Sequence, residues 1–256
     1  MTSRRDRRVA VTVCLAATLV LAGCRSTGSS STASSGPGTS LDHTVPSAIL
    51  DLPLREADGS TTTLGDFSGW TVVISDSMTL CTEDCPLDTA NVVTAARAAD
   101  ADGLTGKVVF LTITVDPGRD TPHRLTAYRR LYDPDNRLSN WLLLTGSRPD
   151  IARLWKYFGV YWRKVPEGRP PDRDWLTGRP LTYDVEHADV VLMLDGNGHE
   201  RYLISGHAHV AGARNVPGKV RDFLNGLGRQ HLYRPGSGSW TWNDVLDGVH
   251  RVAGDG

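Results

Sequence analysis

Sulfur is scarce in this sequence: 256 residues hold four cysteines and three methionines. Charge of one sign is lacking as well, since 28 basic residues face 29 acidic ones for a formal net charge of −1. That balance leaves no electrostatic footprint for nucleic acid. Hydrophobic runs are short. The only sustained one, Val9 to Ala22, is too brief to cross a bilayer as a stable helix. No internal repeat is visible. What is present is ordinary globular usage, 39% hydrophobic and 22% charged, enough apolar material to bury a core of one domain.

The apolar run follows a basic patch of Arg4, Arg5, Arg7 and Arg8 and ends in Leu21-Ala22-Gly23-Cys24. Basic residues, a short apolar stretch and small residues before a cut are the parts of a signal peptide. The last four residues resemble the lipobox of bacterial lipoproteins, in which Cys24 carries the lipid. Residues 1–23 are then removed, and the remainder holds 24 basic and 28 acidic residues, a formal net charge of −4. Ser3-Arg4-Arg5 hints at twin-arginine export without the usual aromatic residue after the pair. Residues 25–40 are nearly all Ser, Thr and Gly and read as a flexible tether. The expected organisation is a signal peptide over 1–23, a lipidated cysteine and linker over 24–44, the folded domain over 45–230 and a tail over 231–256. The expected location is the extracytoplasmic face of the cell membrane, held by lipid.

Apolar β-branched runs alternate with amphipathic stretches, the rhythm of an α/β sheet protein. Strands are expected over Trp70–Ser75, Lys107–Val115 and Trp141–Leu144. Helices are expected over Leu87–Ala101, from Asp120 or Thr121 to Tyr132, and over Arg148–Phe158, with Pro122 at an early position where its missing N–H costs nothing. Gly159–Pro180, rich in Pro, Arg and Gly, reads as an irregular insertion. Ala188–Leu194 and His199–Ser205 form a hairpin through Asp195-Gly196-Asn197-Gly198, residues that accept positive φ. A last helix is expected over Arg214–Leu227, and the Trp240 and Trp242 segment is expected to fold back on the domain. Strand, cysteine pair, helix, strand, helix, strand, hairpin and helix match the thioredoxin layout, a mixed sheet flanked by helices.

Cys14 lies in the removed segment and Cys24 is blocked, so Cys81 and Cys85 are the free thiols. Four apart in a helical turn, they would share one side at an α-carbon separation of about 6 Å, within reach of a disulfide. Two thiolates near a helix N-terminus also suit Cu(I), a soft ion. In an oxidising compartment a structural disulfide is the default, though a bridge over three residues restrains the unfolded chain little. Spacing alone leaves both readings open.

Three segments together resemble the Sco/SenC family of copper-binding, thioredoxin-like factors for cytochrome c oxidase assembly. They are Cys81-Thr82-Glu83-Asp84-Cys85-Pro86, Thr114-Val115-Asp116-Pro117-Gly118-Arg119-Asp120-Thr121-Pro122, and Tyr183-Asp184-Val185-Glu186-His187-Ala188 with Val191-Leu192-Met193-Leu194-Asp195-Gly196. The resemblance implies that Cys81, Cys85 and His187 hold one copper ion, Cu(I) or Cu(II). It implies a metallochaperone rather than an enzyme, with the oxidase's copper-binding subunit or another copper carrier as partner. The alternative is a metal-independent thiol–disulfide oxidoreductase working through the same cysteines. Asp116 is a candidate to orient a ligand or a partner, and Asp120 a candidate helix cap. The stretch before Cys81, Ile74-Ser75-Asp76-Ser77-Met78, lacks the family's aromatic residues, and Met78 is expected to pack in the core. His207 and His209, alternating on a strand end, are a candidate second metal pair.

Overall fold

A computed structural model describes residues 37–234, 236 and 239–254, so the basic patch, the apolar run and Cys24 lie outside the described residues. Among them, no helix is long and apolar enough to cross a membrane.

Strands that must lie between two layers of helix are apolar on both faces, and two here are buried at every residue: β4 (Thr71–Ser77) and β5 (Val108–Thr114). They pair in parallel, and β5 pairs in parallel with β6 (Trp141–Gly146). On the other side β4 pairs antiparallel with β9 (Val190–Leu194), which pairs with β10 (His199–Ser205). β1 (Gly38–Thr44) closes that edge on β10. The short strands β2 (Leu54–Glu56) and β3 (Thr61–Thr62) close the other, giving the order β1-β10-β9-β4-β5-β6-β2-β3.

The side-chain period of two sorts these strands into two cores. Val73, Phe110, Val191 and Met193 face one, with α2 (Cys85–Ala101), α3 (Pro122–Tyr132) and α7 (Trp242–Gly254). Val72, Ile74, Leu111, Ile113, Leu192 and Leu194 face the other, with α1 (Ser47–Leu50) and α4 (Arg148–Tyr157). The mixed sheet flanked by helices is the architecture expected from the sequence.

Several elements differ from expectation for identifiable reasons. Gly38–Ser40, expected in the tether, open an edge strand because β10 offers unpaired backbone groups to them. The closing helix over 214–227 is broken: α5 (Gly218–Phe223) stops at an extended Leu224, and α6 (Gly226–Tyr233) restarts with Asn225 capping the N–H groups of Leu227 and Gly228. The insertion is not wholly irregular, since Trp162–Val165 (β7) pairs antiparallel with Asp184–His187 (β8) as a separate two-stranded sheet. The Trp-containing segment folds back, with Trp240 and α7 contributing buried side chains to the first core.

Thr121 caps α3, accepting the Arg124 N–H, and Asp120 is not the cap. It is buried, accepting hydrogen bonds from the Thr79 N–H, the Thr79 hydroxyl and the Thr114 hydroxyl. Burial pushes its carboxyl up to about 6, against those three hydrogen bonds. The proton is therefore held more tightly in the folded chain than in the unfolded one. That contribution to stability is complete below pH about 4 and is lost as pH rises through about 6. The difference from the ordinary 3.8 corresponds to about 3 kcal/mol. Relative to Asp120→Asn, the wild-type chain should lose unfolding free energy between pH 3 and 7 by roughly that amount. Parallel pH profiles of chemical denaturation for the two proteins would refute the assignment.

Candidate metal centre

The cysteines do not share a helical turn. Cys81 sits in the loop after β4, and Cys85 is the first residue of α2. Proline at the second helical position suits the helix start. Both are free thiols; Cys85 is fully buried and Cys81 retains 8% exposure. Cys81 Sγ accepts the Glu83 N–H at 3.4 Å.

Their loop is held from two sides. From the insertion, Asp172 accepts the Thr82 hydroxyl at 2.7 Å and Trp175 Nε1 donates to the Thr79 carbonyl at 2.6 Å. From the C-terminal segment, Asn225 donates its N–H to the Thr82 carbonyl at 3.0 Å and its amide to Glu83 at 2.9 Å. Gly228 lies against this loop so closely that a Cβ there would sit 2.5 Å from the Thr82 oxygen.

His187 ends β8 and reaches the same place, its Nε2 lying 3.1 Å from Cys85 Sγ. The other ring nitrogen, Nδ1, is 2.6 Å from Asp76 Oδ2 and 3.1 Å from the Ala188 carbonyl. Asp76 is itself fixed, because its second oxygen accepts the Val190 N–H at 2.8 Å, just past the last β4–β9 pair. A proton on Nδ1 directed at Asp76 leaves the Nε2 lone pair facing the sulfurs, which is how histidine ligands are oriented in metal sites. Asp189 Oδ1 lies 3.7 Å from Nδ1 on a further side.

Burial and mutual contact govern the protonation of these groups. The Cys81 thiol is held well above its usual range by its hydrogen bond to Cys85 and by burial, with the Cys85 charge adding to both. Burial pushes Cys85 up to about 11, and the charges of Asp189 and Asp88 add to it. For His187 burial opposes protonation, but the contacts to Asp76 and Cys81 outweigh it and the ring's pKa is raised well above the ordinary value. A cavity of about 180 Å³ opens on Cys81, His187 and Asp189.

Asp116 does not touch His187. It accepts the Tyr183 hydroxyl at 3.0 Å and an ion pair from Arg119, whose guanidinium stacks on the Tyr183 ring and donates to its carbonyl at 2.7 Å. The cluster therefore positions the start of the strand bearing His187, not the ligand itself. Met78 is buried in the second core, as expected. His207 and His209 do not form a pair. β10 ends at Ser205, and His207 instead meets Asp84 and His231. Asp76 and Asp189 are the site residues that sequence reasoning missed. Asp76 was visible as a lone carboxylate in an otherwise apolar and hydroxylic strand, a signal of a buried partner.

Fold and site together define a thioredoxin-like protein with a dithiol and an oriented imidazole converging at one end of its sheet. The SCO1/SenC family model matches residues 50–216, and the chain belongs to that family. A bovine mitochondrial protein, the SCO2 homolog, is 30% identical over 148 residues, 58% of this chain and 50% of that protein. The chain thus spans about half the length of the curated relatives it matches. A SCO1/SenC family lipoprotein from Bacillus anthracis superposes with a TM-score of 0.53 at 23% identity, covering 78% of this chain and 91% of that one. Arabidopsis thaliana ScoI with copper bound superposes with a TM-score of 0.52 at 20% identity, covering 78% and 94%.

Proposed function

We propose that this protein carries one copper ion on Cys81, Cys85 and His187 and serves assembly of the copper site of cytochrome c oxidase, tethered by lipid on Cys24 to the outer face of a membrane. The observation that carries the reading is the 3.1 Å approach of His187 Nε2 to Cys85 Sγ, with the opposite nitrogen held by Asp76. Two soft sulfurs suit Cu(I), and one harder nitrogen lets the same set hold Cu(II). Such a donor set suits cargo that is accepted and released. Copper bound to a family member of the same fold, and a family relative described as a lipoprotein, support the cargo and the anchor.

Free thiols beside each other also support a second reading, exchange of the pair with a partner's disulfide without metal. Copper titration of the reduced chain separates the two. The expected result is one equivalent bound at the thiol centre, with absorption in the thiolate-to-copper charge-transfer region. Because Cys85 sits at about 11, the thiols are protonated at neutral pH, so uptake releases protons and tightens as pH rises from 6 to 8. A saturated titration with no charge-transfer band and no proton release leaves the redox reading alone.

A further inference from the structure

Outside the thiol centre, among the described residues, one other cluster gathers metal-binding atoms: Asp84, His207 and His231, whose candidate ligand atoms all lie within 4.8 Å of one another. Asp84 uses both oxygens. Oδ2 is 3.1 Å from His207 Nδ1, and Oδ1 is 2.5 Å from His231 Nδ1. The two imidazoles stand 5.1 Å apart between centroids, tilted by 39°. Three separate segments are needed to build this: the residue before α2, the loop after β10, and α6.

Each is tied down independently. Trp240 straps the His207 loop, its Nε1 donating to the Gly206 carbonyl at 2.5 Å and its N–H to the His207 carbonyl at 3.2 Å. Asp88 accepts the Ala208 N–H at 3.2 Å. α6 is docked on the cysteine loop through Asn225 and Gly228. Within this rigid frame access is graded: His207 is 59% exposed, His231 20% and Asp84 13%. Two imidazoles and a carboxylate, with one side open to solvent, are three protein ligands plus a free position.

We infer that Asp84, His207 and His231 form a second cation site, open to solvent and selective for a borderline divalent transition metal such as Cu(II) or Zn(II). Nitrogen and oxygen donors without sulfur favour that class over Cu(I). The site adjoins the thiol centre through one carboxylate. Asp189 Oδ2 is 3.4 Å from His207 Nδ1, while its other oxygen faces His187. An ion held there stands one carboxylate away from the cysteine pair. Asp84 and His207 lie within residues 50–216 that match the family and His231 lies beyond them, so the third ligand comes from outside the matched span.

The test uses the full chain carrying Cys81→Ser, Cys85→Ser and His187→Ala, so that its result is independent of the thiol centre. Cu(II) is titrated and followed by calorimetry and electron paramagnetic resonance. One equivalent should bind with hyperfine coupling from two imidazole nitrogens, and adding His231→Ala should weaken it at least tenfold. No uptake, or uptake indifferent to both His231→Ala and His207→Ala, overturns the proposal. Should that background fail to fold, the unaltered reduced chain labelled at histidine nitrogen is titrated with Zn(II). The ring signals of His207 and His231 should then move saturably, and their constancy while the ion binds elsewhere overturns it.

Discussion

Replacing His187 with alanine should lower Cu(II) affinity about 100-fold, roughly 2.7 kcal/mol, and leave exchange of the Cys81–Cys85 dithiol with a small disulfide nearly unchanged. The imidazole is the only nitrogen donor in the set, and Cu(II) gains most from it; Cu(I), satisfied by two sulfurs, should lose much less. The thiols remain where the loop and the start of α2 place them, because Thr82, Glu83 and Thr79 are held by Asp172, Asn225 and Trp175, not by His187. Competition titrations with chelators for each oxidation state measure the first effect, and exchange rates measured at one pH the second. Equal Cu(II) affinity in the variant removes His187 from the ligand set and with it the copper reading of the site.

Asp76→Ala should weaken Cu(II) binding by about 10–100-fold without removing any ligand, the range found when a carboxylate behind a metal-bound histidine is lost. Two consequences add. The ring loses its 2.6 Å partner on Nδ1 and with it a fixed orientation, and the Val190 N–H loses its acceptor at the mouth of the β4–β9 pairing. A purely structural role would lower stability and leave the His187 titration in place. The positioning role predicts in addition that the pKa of His187 falls, because the contact with Asp76 raises it against burial. Asp76→Asn restores an acceptor for Val190 and should recover stability more fully than affinity. Histidine ring shifts followed against pH in the three proteins distinguish these outcomes. An unmoved ring pKa in Asp76→Ala means that Asp76 does not orient the ligand.

Local pattern carried much of this protein. The wholly buried β4 and β5, the Ala-rich α2, the capped α3 and the hairpin at Asp195–Gly198 are each decided within a few residues. In that hairpin Gly198 takes φ +75° and Asp195 accepts the N–H groups of Asn197 and His199, the local bonding such a turn requires. Cys81 and Cys85 were legible because sulfur is rare in the sequence and their spacing is short. The closing helix misread because helix periodicity over 214–227 is a local signal, whereas the break at Leu224 and Asn225 answers a distant demand, the docking of α6 on the Thr82–Glu83 loop.

Residue types and short spacings by themselves determined the central strands β4, β5, β6, β9 and β10, the helices α2, α3 and α4, and the thiol pair. Tertiary structure alone decided which carboxylate faces His187, and that His207 finds His231 instead of His209. The reason is range: a turn or a helix is settled by neighbours a few positions apart, but Asp76 and His187 are 111 positions apart and Asp84 and His231 are 147. Contacts of that span exist only once the sheet has set the ends of its strands side by side.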